Sequence, residues 1–192
     1  HGDAGLLATW RLHTWRPGGF EPSGNVIAPL EGFSCGMEVH TVDVDHNGIT
    51  DLVVPGMIKT NGVPSQPATT YSVFRRETDG TWGANDTKLS LPPGSHRTLF
   101  VDVNGDGLPD AVHGDASGRL WTWMNTGKGF ADEGKKSVQW DALFPQTAYF
   151  HLATPLDWDG DGRMDLLLPM RDGASAEIPR WVILHAVGDF SE

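Results

Sequence analysis

The sequence has few of the groups that bind nucleic acid, form disulfides or cross a membrane. Lys and Arg number 14 against 25 Asp and Glu among 192 residues, and the formal net charge is −11. A nucleic-acid partner requires a concentration of basic side chains, so we expect none. Cys35 is the single cysteine, which leaves no disulfide within these residues and predicts a small buried apolar side chain. No apolar run approaches the roughly 20 residues of a membrane span.

A P-loop and a zinc-binding motif are also missing. The chain contains no GxxxxGK[ST] stretch, and its histidines show no HExxH spacing. A nucleotide-binding P-loop and a zinc site of that type are therefore not indicated. The chain begins at His1 without a methionine, so we expect a processed or excised part of a longer product, with any signal peptide outside it.

Glycine, proline and tryptophan are abundant instead. The 24 Gly and 13 Pro are typical of short strands joined by frequent turns. Eight Trp and a hydrophobic content of 39% indicate a packed structure rather than disorder. No 11-residue window shows the apolar stripe of an amphipathic helix, so the sequence predicts an all-β fold.

An aspartate-rich segment occurs three times. The copies read VDVDHNGITDLVV from Val42, VDVNGDGLPDAVH from Val101 and LDWDGDGRMDLLL from Leu156. Their first aspartates are 59 and 55 residues apart, and self-similarity at such a period indicates a repeat architecture. A second landmark recurs between them, an apolar run with a glycine turn and a closing aromatic at Phe20, Trp82, Phe130 and Phe190.

Each repeat predicts four antiparallel strands, which form one blade of a β-propeller. For the middle repeat we expect strands at about 97–103, 110–114, 119–125 and 135–140. We predict a single propeller segment over residues 1–192, about three blades long. Its parts are the outer strands of an incomplete blade at 1–37, a blade with the first acidic loop at 38–95, a blade with the second at 96–147, and a blade with the third, lacking its last strand, at 148–192. Propellers typically have four to eight blades, so we expect an arc of a larger propeller or a segment that pairs with another chain.

The three acidic loops place oxygen-bearing side chains at alternate positions. We name them loop 1 (residues 43–51), loop 2 (102–110) and loop 3 (157–165) and number each from its first aspartate. Positions 1, 3, 5 and 9 are Asp or Asn, position 6 is glycine, and the carbonyl at position 7 would add an oxygen. The predicted ligands are Asp43, Asp45, Asn47, Ile49 and Asp51 in loop 1; Asp102, Asn104, Asp106, Leu108 and Asp110 in loop 2; and Asp157, Asp159, Asp161, Arg163 and Asp165 in loop 3.

Calcium is the cation that this pattern fits best, because Ca²⁺ takes six to eight oxygens in flexible geometry and Mg²⁺ prefers retained waters. Asp-Gly and Asn-Gly pairs also occur as plain turns, but three copies at a near-constant period favour a metal. An EF-hand would carry Glu at position 12, where this chain has Val54, His113 and Leu168, and would continue into a helix. Three Ca²⁺ ions would change the formal charge from −11 to −5.

The loops and the strands around them resemble the FG-GAP/VCBS repeats of integrin-like β-propellers. That resemblance implies that each calcium loop joins the first and second strands of a blade. Loop 1 departs from the pattern at position 4, where His46 replaces the usual glycine. Over residues 97–190 the sequence also resembles the propeller region of bacterial Rhs-type and SpvB-like toxin-complex proteins. This second resemblance implies a secreted bacterial protein in which the propeller is a non-catalytic docking platform.

Three functions remain open at this stage. The first is a non-catalytic, calcium-stabilised propeller segment that contacts a protein partner or the remaining blades of its own polypeptide. The second is a carbohydrate-binding propeller with Trp-lined sites, which a glycan array would distinguish. The third is an enzyme with a metal loop recruited to hydrolysis, which would need an open coordination position beside a base.

The tryptophans bear on the second possibility. We expect core packing for Trp82, Trp121, Trp123 and Trp181, because alternate residues of a strand share one face. Trp10 and Trp15, in the incomplete blade, are expected to be exposed if the neighbouring blade is missing, and Trp158 in loop 3 is expected to face solvent or a next blade.

If calcium stabilises the folded chain, chelation with EGTA lowers the melting temperature substantially, because a ligand that binds only the folded state adds to its stability. Thermal unfolding followed by circular dichroism measures the effect. A melting curve that EGTA leaves unchanged contradicts structural calcium.

Overall fold

The computed structural model describes residues 11–22, 25–26, 39–60, 63–83, 87–90, 98–115, 120–131, 134–136, 150, 152–170 and 180–188. Within these ranges the regular structure is β-strand, and no α-helix occurs. The all-β prediction is confirmed. Among the described residues, no helix has the length and apolar character that crossing a membrane requires. The predictions for Cys35, Trp10 and Phe190 concern residues outside the described ranges.

Fifteen strands are described in five antiparallel sheets. Four short strands lie near the N-terminus: β1 (Arg11–Leu12), β2 (Trp15–Arg16), β3 (Gly19–Phe20) and β4 (Asn25–Val26). Strand β1 pairs with β4, and β2 pairs with β3. Blade 1 contains β5 (His40–Val42), β6 (Asp51–Thr60), β7 (Val63–Phe74) and β8 (Thr87–Ser90). Blade 2 contains β9 (Thr98–Val101), β10 (Asp110–Gly114), β11 (Leu120–Trp123) and β12 (Lys135–Lys136). Blade 3 contains β13 (Thr154–Leu156), β14 (Asp165–Met170) and β15 (Arg180–Leu184).

The sheets are meanders whose neighbours in sequence are neighbours in space. Blade 1 has the order β5-β6-β7-β8, blade 2 the order β9-β10-β11-β12, and blade 3 the order β13-β14-β15. This is the arrangement of partial β-propeller blades. The four strands predicted for the middle repeat are confirmed, and the wider blade boundaries remain predictions. In blade 1, β6 and β7 are longer than any strand of blades 2 and 3. Their pairing shifts register between Pro55 and Met57, because proline cannot donate to the ladder.

Each acidic loop joins the first and second strands of its blade and is closed by the same register. The residue before position 1 pairs with the aspartate at position 9, as Val42 does with Asp51 and Val101 with Asp110. In blade 3 the same pair is Leu156 and Asp165. Eight residues, positions 1 to 8 of the loop, therefore lie between the two paired residues, and the loop joins the first and second strands as the family resemblance implies.

Apolar residues fill two interfaces between consecutive blades. Ala111 and Trp123 of blade 2 pack with Val53 and Val73 of blade 1. Val112 is the next residue of β10, so its side chain points to the opposite face of the sheet, where it packs with residues of blade 3. Burying one such valine stabilises the fold by roughly 1.5–3 kcal/mol, so these interfaces hold the blades together.

The residue at loop position 2 contributes to each interface. Val44 is fully buried among residues of blades 1 and 2, and Val103 is fully buried among residues of blades 2 and 3. The equivalent residue of loop 3 is Trp158, which is 60% exposed. We call this side of each blade, which meets the following blade, the forward face.

The tryptophan predictions are confirmed except at Trp181. Trp123 is buried and stacks on Trp121, with 6.0 Å between the ring centroids, and Trp82 lies half-buried beneath Arg76. Trp15 and Trp158 are exposed, as expected.

Trp181 was expected in the core and is 57% exposed. It pairs with Pro169, four residues after the position-9 aspartate, as Leu120 pairs with Gly114 and Tyr71 with Pro55. Leu120 and Tyr71 are both buried. Trp181 differs because it lies on the forward face of blade 3, which no described residue of a following blade covers.

Candidate metal centres

The aspartate at position 9 of each loop is buried and accepts two backbone hydrogen bonds. One donor is always the N–H of position 2, and the other is the N–H of a residue just after the third strand of the blade. The donors are Val44 (2.9 Å) and Arg76 (2.7 Å) for Asp51, Val103 (3.2 Å) and Asn125 (2.7 Å) for Asp110, and Trp158 (3.0 Å) and Ala186 (2.8 Å) for Asp165. These bonds fix one carboxylate at the base of each loop.

The aspartate at position 1 curls the loop around itself. Its Oδ2 accepts the N–H of the position-6 glycine, at 2.8 Å in loop 1, 2.7 Å in loop 2 and 3.1 Å in loop 3. These glycines have φ values of 83°, 85° and 87°, a left-handed conformation that costs glycine little. His46 also adopts this conformation, with φ of 58°, so loop 1 follows the same path despite its departure at position 4.

Position 5 accepts a hydrogen bond from the N–H of position 7. The distances are 2.7 Å from Ile49 to Asn47, 2.8 Å from Leu108 to Asp106 and 2.9 Å from Arg163 to Asp161. The ligand role predicted for the carbonyls of Ile49, Leu108 and Arg163 remains a prediction.

Loops 1 and 3 each bring three carboxylates together. Ligand atoms of Asp43, Asp45 and Asp51 lie within 4.8 Å of one another, and so do those of Asp157, Asp159 and Asp165. A set of converging carboxylate oxygens suits a hard divalent cation. Loop 2 does not form such a group, because position 3 is Asn104, whose amide donates to Asp106 at 2.9 Å. The predicted count of three ions therefore remains a prediction.

Burial and neighbouring charge make the loops costly to ionise. The pKa of Asp110 is raised to about 6, mainly because the carboxyl group is buried. Two backbone N–H bonds lower this pKa, and the neighbouring charges of Asp106 and Asp102 raise it. Burial also raises the pKa of Asp51, with Asp45 and Asp43 adding to the effect. A cation in the loop would favour the charged carboxylates, so the residues present fit a bound metal.

Asp161 is held differently from the other predicted ligands. Its carboxylate pairs with the Arg163 guanidinium, and the backbone N–H and side chain of Arg163 lower its pKa. Asp161 is consequently absent from the carboxylate group of loop 3.

Two residues near the loops were missed by sequence reasoning. Asn125 is buried, and its Nδ2 donates to the carbonyls of Val44 at 2.7 Å and Pro109 at 3.2 Å, which links loop 1 to loop 2. His185 Nδ1 lies 3.6 Å from Asp159 Oδ2 and 3.7 Å from Asp165 Oδ2. Aligning the ends of the third strands, as well as the loops, would have found both.

Residues 102–168 match the family model described as FG-GAP-like repeat. The match covers 67 of the 192 residues and spans loops 2 and 3. With the observed sheets, it supports the predicted FG-GAP resemblance and a β-propeller-like scaffold, a class whose members are typically non-catalytic structural modules.

We expect Asp110 to titrate at about 6 in EGTA. An aspartate in the unfolded chain titrates near about 4, so the folded state holds this proton more tightly. The group's stabilising contribution is thus present below about pH 4 and is lost as the pH rises through about 6. In saturating Ca²⁺ we expect the midpoint to fall by about one pH unit or more, since the cation favours the carboxylate.

Carbon-13 NMR of the side-chain carboxyl carbons measures these midpoints. Asp161 is the internal control, because its lowered pKa should leave it ionised throughout the range in which Asp110 titrates. An Asp110 midpoint near 4 in EGTA contradicts the effect of burial.

Proposed function

We propose that this chain is a non-catalytic, calcium-stabilised β-propeller segment that serves as a scaffold for contact with other protein. The observation that carries the proposal is the pair of carboxylate groups in loops 1 and 3. In each, one aspartate is buried and anchored by two N–H bonds while two others converge on it within 4.8 Å. Such a group is costly without a cation and stabilising with one.

The position of the loops supports a structural role for the cation. Each loop spans the first two strands of a blade, and consecutive loops are in contact. The N–H of Met164 in loop 3 donates to the carbonyl of Asp102 in loop 2 at 2.7 Å. Asn125 joins loops 1 and 2. A cation that stiffens one loop would therefore also fix the edge of the neighbouring blade.

We extend the proposal to a secreted protein, in the toxin-related setting that residues 97–190 resemble. Loop 3 supports an extracellular site, because its carboxylates at positions 1 and 3 are exposed. Exposed, flexible sites bind calcium weakly, with dissociation constants of about 10⁻⁴–10⁻³ M in extracellular modules. Calcium at extracellular concentrations would fill such sites.

The partner that we propose for the forward face of blade 3 is a further blade of the same polypeptide. Trp158 and Trp181 occupy positions whose counterparts in blades 1 and 2 are buried in the interface with the next blade. Leu156, Leu167 and Ile183 on this face are only half-buried. The exposed face of blade 3 thus uses the same strand and loop positions as the two buried interfaces between blades 1, 2 and 3.

Calcium binding is tested by isothermal titration calorimetry on Asp45→Asn and Asp159→Asn. Each substitution removes a position-3 carboxylate that is not an anchor of the fold, so we expect each to weaken or remove one binding event while the chain stays folded. Asp79→Asn is the matched control, because Asp79 lies in an exposed turn and bonds only to Thr81. Heats that are the same for all four proteins contradict calcium binding in the loops.

Hydroxyl-radical footprinting tests the proposed further blade. In residues 1–192 alone we expect rapid oxidation of Trp158 and Trp181 and slow oxidation of Trp123, as their exposures dictate. In the full-length gene product we expect Trp158 and Trp181 to become as protected as Trp123. Rapid oxidation of both in that longer protein would overturn the proposed covering blade, whereas Trp123 reports whether the fold is intact.

A further inference from the structure

The four short strands near the N-terminus have the register of the second half of a blade. Strand β1 pairs with β4 as β11 pairs with β12, and Trp15 pairs with Phe20 as Asn125 pairs with Phe130. Counterparts differ by a constant 110 in residue number through both pairings. These strands therefore match the third and fourth strands of blade 2, and we call them the N-terminal half-blade.

Trp15 occupies the position that anchors the acidic loop in the complete blades. Its counterpart Asn125 donates its backbone N–H to Asp110 at 2.7 Å. In blade 1 the counterpart is Arg76, whose N–H donates to Asp51 at 2.7 Å. An aspartate at the end of an acidic loop is thus the group that this backbone position binds in blades 1 and 2.

The N–H of Trp15 points away from β3. The N–H of Glu21 donates to the carbonyl of Thr14 at 3.0 Å, a bond that flanks the pair of Trp15 and Phe20. A pair flanked in this way is a non-hydrogen-bonded pair of an antiparallel ladder, so its own N–H groups face outward. The same flanking bond in blade 2, at 2.8 Å, turns the N–H of Asn125 toward its aspartate.

The aromatic rings of the half-blade lack the cover that blade 2 provides. Phe20 is 69% exposed, whereas its counterpart Phe130 is 9% exposed. The ring of Phe130 lies 5.7 Å, between centroids, from that of Phe100 in the first strand of the same blade. Trp15 is 60% exposed, and its counterpart Asn125 is buried. The first two strands of a blade would supply this cover.

A repeated tetrapeptide indicates where those two strands lie in the sequence. HGDA occurs at 113–116, beginning inside the second strand of blade 2, and again at 1–4. In blade 2 the position-9 aspartate stands three residues before this tetrapeptide. The order of the repeat would therefore put a first strand, an acidic loop and most of a second strand directly upstream of His1.

We propose that the N-terminal half-blade is completed by a strand–loop–strand segment of the same polypeptide, whose acidic loop is a further calcium site and whose last aspartate accepts the N–H of Trp15. Among the described strands, β1 pairs with β4 alone, so its second edge can pair with an added strand as β11 pairs with β10. The inference rests on the proposed function, because it assigns to this loop the cation proposed for loops 1 and 3.

Hydrogen–deuterium exchange of single amides tests the completed blade. In residues 1–192 alone we expect the Trp15 amide to exchange rapidly. In the Ca²⁺-loaded full-length gene product we expect its exchange to be at least about a hundredfold slower, and EGTA should restore the rapid rate. The Asn125 amide is the internal control, because its bond to Asp110 protects it in both proteins.

Two substitutions at one position separate the backbone donor from the ring. Trp15→Pro removes the N–H, which the pairing with β3 does not use, and Trp15→Ala removes only the ring. In the full-length gene product we expect one Ca²⁺-binding event to be roughly tenfold weaker in the Pro variant than in the Ala variant, the usual effect of losing a hydrogen bond to a charged group. In residues 1–192 alone the two variants should bind Ca²⁺ alike.

The outcomes separate this inference from the proposed function. Rapid exchange at Trp15 in the full-length product, beside a protected Asn125, overturns the inference and leaves the calcium scaffold standing. Protection in residues 1–192 that rises with protein concentration assigns the edge to a second copy instead. An upstream sequence without an acidic loop that ends about three residues before His1 contradicts the proposed segment. If Ca²⁺ gives no heat and no stabilisation with either protein, the proposed function itself fails.

Discussion

The fold depends on one interaction repeated three times, a buried aspartate that accepts two backbone N–H groups. One N–H comes from the start of the loop and the other from beyond the third strand, so a single carboxylate joins three segments of each blade. Hydrogen bonds to a charged acceptor are stronger than neutral ones, but burying the charge opposes them. The raised pKa of Asp110 shows that the opposition is substantial. A cation beside the carboxylate, as proposed above, would resolve this conflict and give the gathered acidic residues a role.

The same loops also organise the contact between blades. Position 2 uses its N–H within its own blade, and in loop 1 its carbonyl accepts from Asn125 of blade 2. Its side chain meanwhile fills the interface, as Val44 and Val103 show. One residue therefore couples loop closure, blade stacking and the anchoring aspartate. A scaffold built this way makes the integrity of each blade depend on the loop of the blade before it.

The repeat made the strands and the loops predictable, because the register that closes a loop repeats with the sequence. All four strands expected for the middle blade are present, the second with the expected bounds 110–114 and the others with shorter described ranges, and the loop takes the left-handed path through Gly107. The groups around the loops were not predictable in the same way. His185 and Asn125 lie 20 and 15 residues beyond the position-9 aspartates of their blades, in segments whose position repeats but whose side chains differ from blade to blade. The pairing of Asp161 with Arg163 depends on a side-chain conformation, and the burial expected for Trp181 depended on a neighbouring blade.

Two buried aromatic rings of this chain, those of Phe150 and Trp123, lie against the backbone of a glycine. A Cβ on Gly114 would lie 3.1 Å from the ring of Phe150, and one on Gly134 only 2.4 Å from that of Trp123. A side chain at position 134 would clash with the indole, and one at position 114 would require the Phe150 ring to move by a few tenths of an ångström, so glycine suits both close approaches. The large indoles of Trp158 and Trp181 stand where smaller side chains fill the earlier interfaces. A surface that covers them must therefore be recessed, and a glycine-bearing strand is the simplest way to provide that shape.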